Sequence, residues 1–252
     1  MKLVTFNLRS VYDADVDGIN VFVNRAGGIA RKIREEQPDV IAFQEGTPPI
    51  IADVRRMLTD YVVLFNQRNA DWGGEGLALA LRRDVVELVT LDCFWLSETP
   101  FVPGSRYAHQ SDCPRICQAA MLKMDGNVFR VYNVHLDHVD DEARQLGMAQ
   151  VLRYMKAQDG YMHTPAFLLG DFTATPDSGV IALCDTFADF PVCDLTKETG
   201  GTFHDFGRRE PVKIDYIYAD ADTAVQPHAV TVWKDCTRGV YLSDHYPVEV
   251  LI

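Results

Sequence analysis

A chain of 252 residues, 47% of them apolar, is long enough to bury a sizeable core, and its length fits one large α/β unit over 1–252 better than two small ones. Its 24 basic residues against 36 acidic ones leave a formal charge of −12, which repels the backbone of nucleic acid unless a long basic patch compensates. The sequence holds only short clusters, Arg55-Arg56, Arg82-Arg83 and Arg208-Arg209, which read as solvated surface charge. Small anionic substrates stay compatible with this balance, since a bound cation inverts the local field. No apolar run reaches the roughly 18 to 20 residues of a membrane helix. The opening Met1-Lys2-Leu3-Val4-Thr5-Phe6 carries no charged leader or cleavage site. A soluble, cytoplasmic, monomeric protein with no membrane partner is expected. Its six irregularly spaced cysteines are read as reduced thiols.

In chain order, Lys2 to Asn7 reads as a strand and Val21 to Glu36 as an amphipathic helix stopped by Pro38. Val40 to Gln44 is a buried strand, Pro49 to Leu58 a helix and Tyr61 to Phe65 extended. A polar loop over Asn69 to Gly76 precedes strands near Leu77 to Arg82 and Val85 to Trp95. A long loop from Ser97 to Arg115 leads to strands Ile116 to Met124 and Val128 to His135, joined at Asp125-Gly126, a two-residue hairpin signal. Asp140-Asp141-Glu142 complements a helix dipole, so a helix is predicted over Asp140 to Ala157. Ala166 to Leu169 is a short buried strand. A helix after Pro176 and strands near Lys213 to Tyr218, His228 to Trp233 and Tyr246 to Leu251 complete the reading.

The stretch Val131-Tyr132-Asn133-Val134-His135-Leu136-Asp137-His138 sets the chemistry, because an apolar alternating run delivers polar groups where a strand stops. The same construction recurs at Phe6-Asn7, Phe43-Gln44-Glu45, Leu169-Gly170-Asp171 and Ile214-Asp215, and Ser243-Asp244-His245 precedes the last apolar run. Strand ends carrying acid, amide and imidazole point to one shared site. Hard divalent cations take carboxylate and amide oxygens, while phosphate chemistry uses imidazole and amide donors. Glu45, directly after Val40-Ile41-Ala42-Phe43, suits a Mg²⁺ or Mn²⁺ ligand, since a buried carboxylate there must be paired or metal-bound. Asp244 would assist the metal or serve as a turn or capping residue. His135 and His245 would donate to non-bridging phosphate oxygens, where charge accumulates in the transition state. Asp171, after Phe167-Leu168-Leu169 and a glycine turn, is the candidate to position and deprotonate water. Arg115 before a strand could reach a phosphate. His204, with His138 and His109, is a weaker candidate for substrate contact. Trp72, Tyr107 and Phe203 could wall a base or sugar, or simply cover core edges.

Taken together, Thr-Phe-Asn-Leu at 5–8, Gln-Glu at 44–45, Asn-Val-His-Leu-Asp-His at 133–138, Gly-Asp-Phe at 170–172, Ile-Asp-Tyr-Ile at 214–217 and Ser-Asp-His-Tyr-Pro at 243–247 resemble the endonuclease/exonuclease/phosphatase superfamily. Phe94-Trp95-Leu96-Ser97-Glu98-Thr99-Pro100 further resembles a bacterial hydrolase subgroup related to the poly(A) deadenylases. The resemblance implies a deoxyribonuclease I-like fold, a four-layer α/β sandwich of two packed mixed sheets flanked by helices, with the site at one edge. It implies that Asn7 orients a metal's waters or binds phosphate, and that Asp215 pairs with the last histidine, His245. Asp137 resembles the subgroup's Asp and would support its loop or contact substrate. The family pattern Gly-Asp-Phe-Asn reads Gly-Asp-Phe-Thr here, so Thr173 stands where an amide normally helps catalysis. The expected function is a metal-dependent phosphoesterase acting on a phosphodiester or small phosphorylated metabolite. The alternatives are a nuclease, disfavoured by the acidic balance, and a catalytically weakened member that binds a phosphorylated ligand or partner.

Overall fold

The computed structural model describes residues 1–11 and 13–252. The first half of the chain forms β1 (Lys2–Asn7), α1 (Ala14–Asp17), α2 (Phe22–Glu36), β2 (Val40–Gly46), α3 (Pro48–Met57), β3 (Tyr61–Gln67), β4 (Gly76–Arg82), β5 (Glu87–Trp95) and β6 (Ile116–Met124). Then follow β7 (Asn127–His135), α4 (Asp141–Tyr161), β8 (Ala166–Asp171), α5 (Gly179–Thr186), β9 (Val192–Asp194), β10 (Asp215–Asp220), α6 (Ala221–Ala224), β11 (Ala229–Val232), β12 (Cys236–Thr237), β13 (Val240–Tyr241) and β14 (Val248–Leu251). Two six-stranded mixed sheets result, ordered β11-β14-β1-β2-β4-β3 and β5-β6-β7-β8-β10-β9.

Strand alternation explains the layers. In β1, Leu3 joins an apolar cluster drawn from both sheets, with Val40, Leu79, Val131, Phe167, Leu169 and Ile217, whereas Val4 and Phe6 face Ile29 and Ile33 of α2 and Ile51 and Val54 of α3. On the outer face of the second sheet, Tyr132, Val134 and Leu168 meet Met148, Val151 and Leu152 of α4 and Val180 of α5. Central strands are thus buried on both faces, which accounts for their near-continuous apolar runs. The order helix, sheet, sheet, helix is the expected deoxyribonuclease I-like sandwich.

Local signals set the element ends. The α2 helix stops at Gln37, left-handed at φ 50°, just before Pro38. The Asp140 carboxylate accepts from Ala143 N at 2.7 Å and caps α4. Asp125 and Gly126 both carry positive φ in the turn joining β6 to β7. The predicted strands and longer helices are present, with ends shifted by a few residues. The elements not anticipated are all short: α1, α6, β9 and the β12–β13 hairpin. Among the described residues no helix is long and apolar enough to cross a membrane.

Register builds one edge of the sandwich. The parallel pair β7–β8 sets His135 opposite Asp171, and the antiparallel pair β8–β10 sets Asp171 opposite Asp215. Residues on one rung of adjacent strands project to the same face, so a single rung across three strands delivers an imidazole and two carboxylates together. Gly170 lies within β8, where a turn was expected. Its glycine is required by close approach, since a Cβ there would sit 2.0 Å from the Val134 carbonyl oxygen.

Candidate active site

The first sheet supplies the opposite wall. Asn7, at the end of β1, donates through Nδ2 to Glu45 Oε1 at 3.0 Å and to Asp171 Oδ2 at 3.0 Å, so one amide spans both sheets. Its Oδ1 accepts from Arg9 N at 2.9 Å. Glu45 lies in β2 where the pairing with β4 shifts register, and adopts φ 57°. Its Oε2 accepts from Ser10 N at 3.0 Å. Burial would raise the Glu45 pKa, yet the bonds from Asn7 and Ser10 and the charges of His245 and Arg9 bring it below the usual value. The carboxylate is thus favoured in its ionised form, on a residue that is half-buried.

Behind it, His245 Nδ1 lies 2.8 Å from Asp215 Oδ2, and its Nε2 lies 3.7 Å from Asp171 Oδ2. Burial works against protonation, but Asp215, Asp171 and Asp244 lift the His245 pKa to about 10, so it is an imidazolium at neutral pH. His135 Nε2 lies 3.6 Å from the same Asp171 oxygen. Burial and the charges of Arg115 and Arg68 hold its pKa well below 6.5, so it is neutral. The two histidines therefore differ: one supplies charge, the other a neutral N–H or lone pair. Burial raises Asp171 to about 7, with His245 and Asp215 pulling in opposite directions. Asp244 is 3% exposed; burial raises its pKa, its Oδ2 lies 3.6 Å from Arg9 Nε and its Oδ1 accepts from Ser243 Oγ at 3.1 Å.

Three other anticipated residues are spent on the frame. The Asp137 carboxylate accepts from Ser111 Oγ and from the backbone N–H groups of Val139 and Asp140 at 3.0 and 2.8 Å, which makes it a loop support. Thr173 adopts φ 48°. Its N–H donates to Asp171 Oδ1 at 2.7 Å, and its hydroxyl donates to the Asp137 carbonyl at 2.8 Å. His204 is 1% exposed and stacks on Tyr246 with ring centroids 3.8 Å apart. Its Nδ1 accepts from Gly207 N at 3.0 Å while its backbone N–H donates to the Asp244 carbonyl at 2.9 Å, bracing the 244–245 loop. Of the loop aromatics, Phe203 adjoins the site, 4.9 Å from the His245 ring, whereas Tyr107 packs at a core edge and Trp72 lies against Trp95. Arg115 is buried next to His135 and shares Nη2 with His138 Nδ1 at 3.0 Å.

Two arginines escaped the sequence reading. Arg9 places its backbone on Asn7 and its side chain between Asp17 and Asp244, and no periodic signal marks it. Arg25 is wholly buried and donates to the carbonyls of Leu8, Leu242, Arg9 and Asn20, tying down both chain segments that carry Asn7 and Asp244. Its signal was present, since Arg25 falls on the same helical stripe as Phe22, Ile29 and Ile33.

On the first-sheet side, Asn7 turns its amide nitrogen to the Glu45 carboxylate and its oxygen to Arg9 N, and the buried Asp244 carboxylate meets Arg9 as well. Deeper in, Asp171, Asp215 and His245 offer ligand atoms within 4.8 Å of one another. That deeper cluster could hold a metal ion, and within it His245 is paired with Asp215.

Residues 4–245 match the model of the endonuclease/exonuclease/phosphatase family. The chain belongs to that family. No curated protein sequence matches it. Among solved structures, an endonuclease/exonuclease/phosphatase protein from Bacteroides vulgatus is 28% identical, with a TM-score of 0.87 over 100% of this chain and 98% of that one. A mannosyl-6-phosphatase from Bacteroides thetaiotaomicron is 26% identical, with a TM-score of 0.85 over the same shares, 100% and 98%. The TDP2 of D. rerio, solved with a single-strand DNA product, shares the fold at 15% identity and a TM-score of 0.76, covering 100% of this chain and 99% of that one. Family membership makes the cross-sheet cluster the place to look for chemistry, and hydrolysis of phosphate esters is the activity class to test.

Proposed function

We propose that the protein is a Mg²⁺- or Mn²⁺-dependent phosphoesterase that hydrolyses a small phosphorylated metabolite or phosphodiester by in-line attack of water. The observation that carries this reading is Asp171 Oδ2, which lies 3.0 Å from the Asn7 amide and 3.6 and 3.7 Å from the Nε2 atoms of His135 and His245. A carboxylate raised to about 7 is matched to taking a proton from water near neutral pH. Asp171 accepts that proton as the water oxygen bonds to phosphorus, and the bond from phosphorus to the leaving oxygen breaks. The His245 imidazolium, held in one tautomer by Asp215, and the neutral His135 stabilise the phosphoryl oxygens as charge gathers on them. Glu45, Asn7 and Asp244 would hold the cation, which supplies charge neutralisation at those oxygens when bound. No covalent enzyme intermediate is required.

A metabolite fits better than a nucleic acid on two grounds. The net charge of −12 opposes a polyanion. The mannosyl-6-phosphatase at 26% identity acts, by its name, on a phosphorylated sugar. The test is turnover of sugar phosphates, nucleotides, p-nitrophenyl phosphate, its bis ester and single-stranded RNA and DNA, with manganese, magnesium or chelator. Metal-dependent release of phosphate or alcohol that falls at least about 100-fold in Asp171→Asn is expected. Metal binding without turnover on any substrate supports instead a ligand-binding protein, with Thr173 the residue to explain.

A further inference from the structure

The strongest chemistry left unused lies beside His135. A recess there is lined by Arg68, Arg115, His135, Gly76, Leu77 and Ile116. Arg115 is 4% exposed, yet its Nε and Nη1 have no hydrogen-bond partner. Asp137 does not satisfy it, because the nearest carboxylate oxygen is 4.0 Å from Nε and is taken up by Ser111. Arg68 pairs through Nη1 with Glu75 Oε2 at 2.8 Å and leaves its own buried Nε without a partner.

Buried guanidinium N–H groups are normally satisfied, because leaving them without an acceptor costs the desolvation of a charged donor. Two arginines with open donors on one recess therefore specify what belongs there, an acceptor that carries negative charge. The inner space is about the size of one water molecule, too small for a sugar ring or a base. A group enters it oxygen first, as a carboxylate or the edge of a phosphate does, and meets unpartnered N–H groups of two guanidinium forks. His135 forms part of this wall and also faces Asp171, so the recess adjoins the reacting centre without sharing Asn7, Glu45 or His245.

We propose that Arg68 and Arg115 bind a second anionic group of the substrate, a carboxylate or phosphate distinct from the phosphoryl group being hydrolysed. This rests on the phosphoesterase reading above and narrows it: the preferred substrate is a small metabolite that carries a phosphate ester and a further anion.

The experiment compares glucose 6-phosphate with glucose 1,6-bisphosphate and 6-phosphogluconate, and fructose 6-phosphate with fructose 1,6-bisphosphate, in wild type, Arg68→Gln, Arg115→Gln and Arg115→Lys. The expected result is a kcat/KM at least about tenfold higher for one substrate with two anionic groups than for its counterpart with one, lost in Arg68→Gln and Arg115→Gln. The bisphosphates and 6-phosphogluconate tell phosphate from carboxylate. Arg115→Lys keeps the charge without the fork, so a partial preference there separates recognition from misfolding. Equal loss on both members of a pair overturns the proposal and assigns the arginines to the reacting phosphoryl group or to folding. Absence of any preference in wild type also overturns it. If no substrate turns over, the phosphoesterase reading fails by itself, and the same ratio is then read as calorimetric affinity for glucose 1,6-bisphosphate over glucose 6-phosphate, an unchanged ratio in Arg68→Gln overturning the anion site.

Discussion

The amide of Asn7 holds Asp171 across the sandwich at 3.0 Å, and the same nitrogen holds Glu45 at 3.0 Å. One side chain from the first sheet thus keeps two carboxylates from repelling each other apart, and its oxygen is fixed by Arg9 N. Asn7→Ala is expected to lower kcat/KM on any hydrolysed phosphate ester by about 10²- to 10³-fold, as for loss of one preorganised donor, while the far-UV spectrum stays native. Steady-state kinetics with circular dichroism checks it. A loss below about threefold would sink the bridging role.

Thr173 adopts φ 48°, a conformation that a β-branched side chain tolerates poorly and asparagine tolerates well. The family resemblance also favours asparagine there. Its nitrogen can replace the hydroxyl as donor to the Asp137 carbonyl, so Thr173→Asn loses no bond in principle. Relief of about 1 kcal/mol should raise the melting temperature by about 2–4 °C, and added donor capacity beside Asp171 should raise kcat. A lower melting temperature in scanning calorimetry would show that the threonine is not strained.

How much of this was legible depended on whether polarity at a strand end says which way it faces. His135 and Asp171 were readable because each closes an apolar run; Asp215 instead opens β10 and its role was readable only through the family resemblance, and one rung brings all three together. Gln44 and Asn133 look the same in the sequence and do something else. Gln44 donates to Asn133 Oδ1 at 2.9 Å and Asn133 donates to the Phe43 carbonyl at 3.0 Å, a polar clip between the two sheets. Strands that are apolar on both faces carry no parity signal, so the inward polar residue cannot be told from the one at the rim. Arg9 and Arg68 contribute through loop geometry that only the tertiary structure creates. The same holds for Gly170, whose packing against Val134 reads in the sequence as a turn.

Asp137 offers a test by pH. Burial pushes its carboxyl up, but the Ser111 hydroxyl and the N–H groups of Asp140, Val139 and Ser111 bring it below the usual carboxylate range. A pKa lower in the folded than in the unfolded chain contributes stability that is present above the unfolded value and lost as pH falls through the folded one. Asp137→Asn should therefore cost about 1–3 kcal/mol at pH 7, and the gap to wild type should narrow below about pH 4. Urea titrations at pH 7 and at about pH 3.5 measure it. A gap that stays constant would mean that the ionised carboxylate contributes nothing beyond its shape.

Two groups of side chains compete for a cation, and their hydrogen bonds decide between them. In the deeper group, His245 Nδ1 is engaged with Asp215 at 2.8 Å and the carboxylates around it lift its pKa to about 10, so an ion liganded by the imidazole has to displace the Nε2 proton. On the first-sheet side, each Glu45 oxygen accepts one hydrogen bond, from Asn7 and from Ser10, and each keeps a further lone pair. Cation entry there competes with the looser 3.6 Å contact between Arg9 and Asp244 and leaves the 2.8 Å His245–Asp215 pair intact. Glu45→Gln is accordingly expected to weaken Mn²⁺ and Mg²⁺ binding at least about tenfold, and Asp215→Asn by less than about threefold, since it perturbs the histidine and leaves the oxygen donors in place. Isothermal titration of both variants separates the two arrangements. Loss of binding in Asp215→Asn with Glu45→Gln unaffected would move the ion to the deeper group and return Glu45 to a purely electrostatic role.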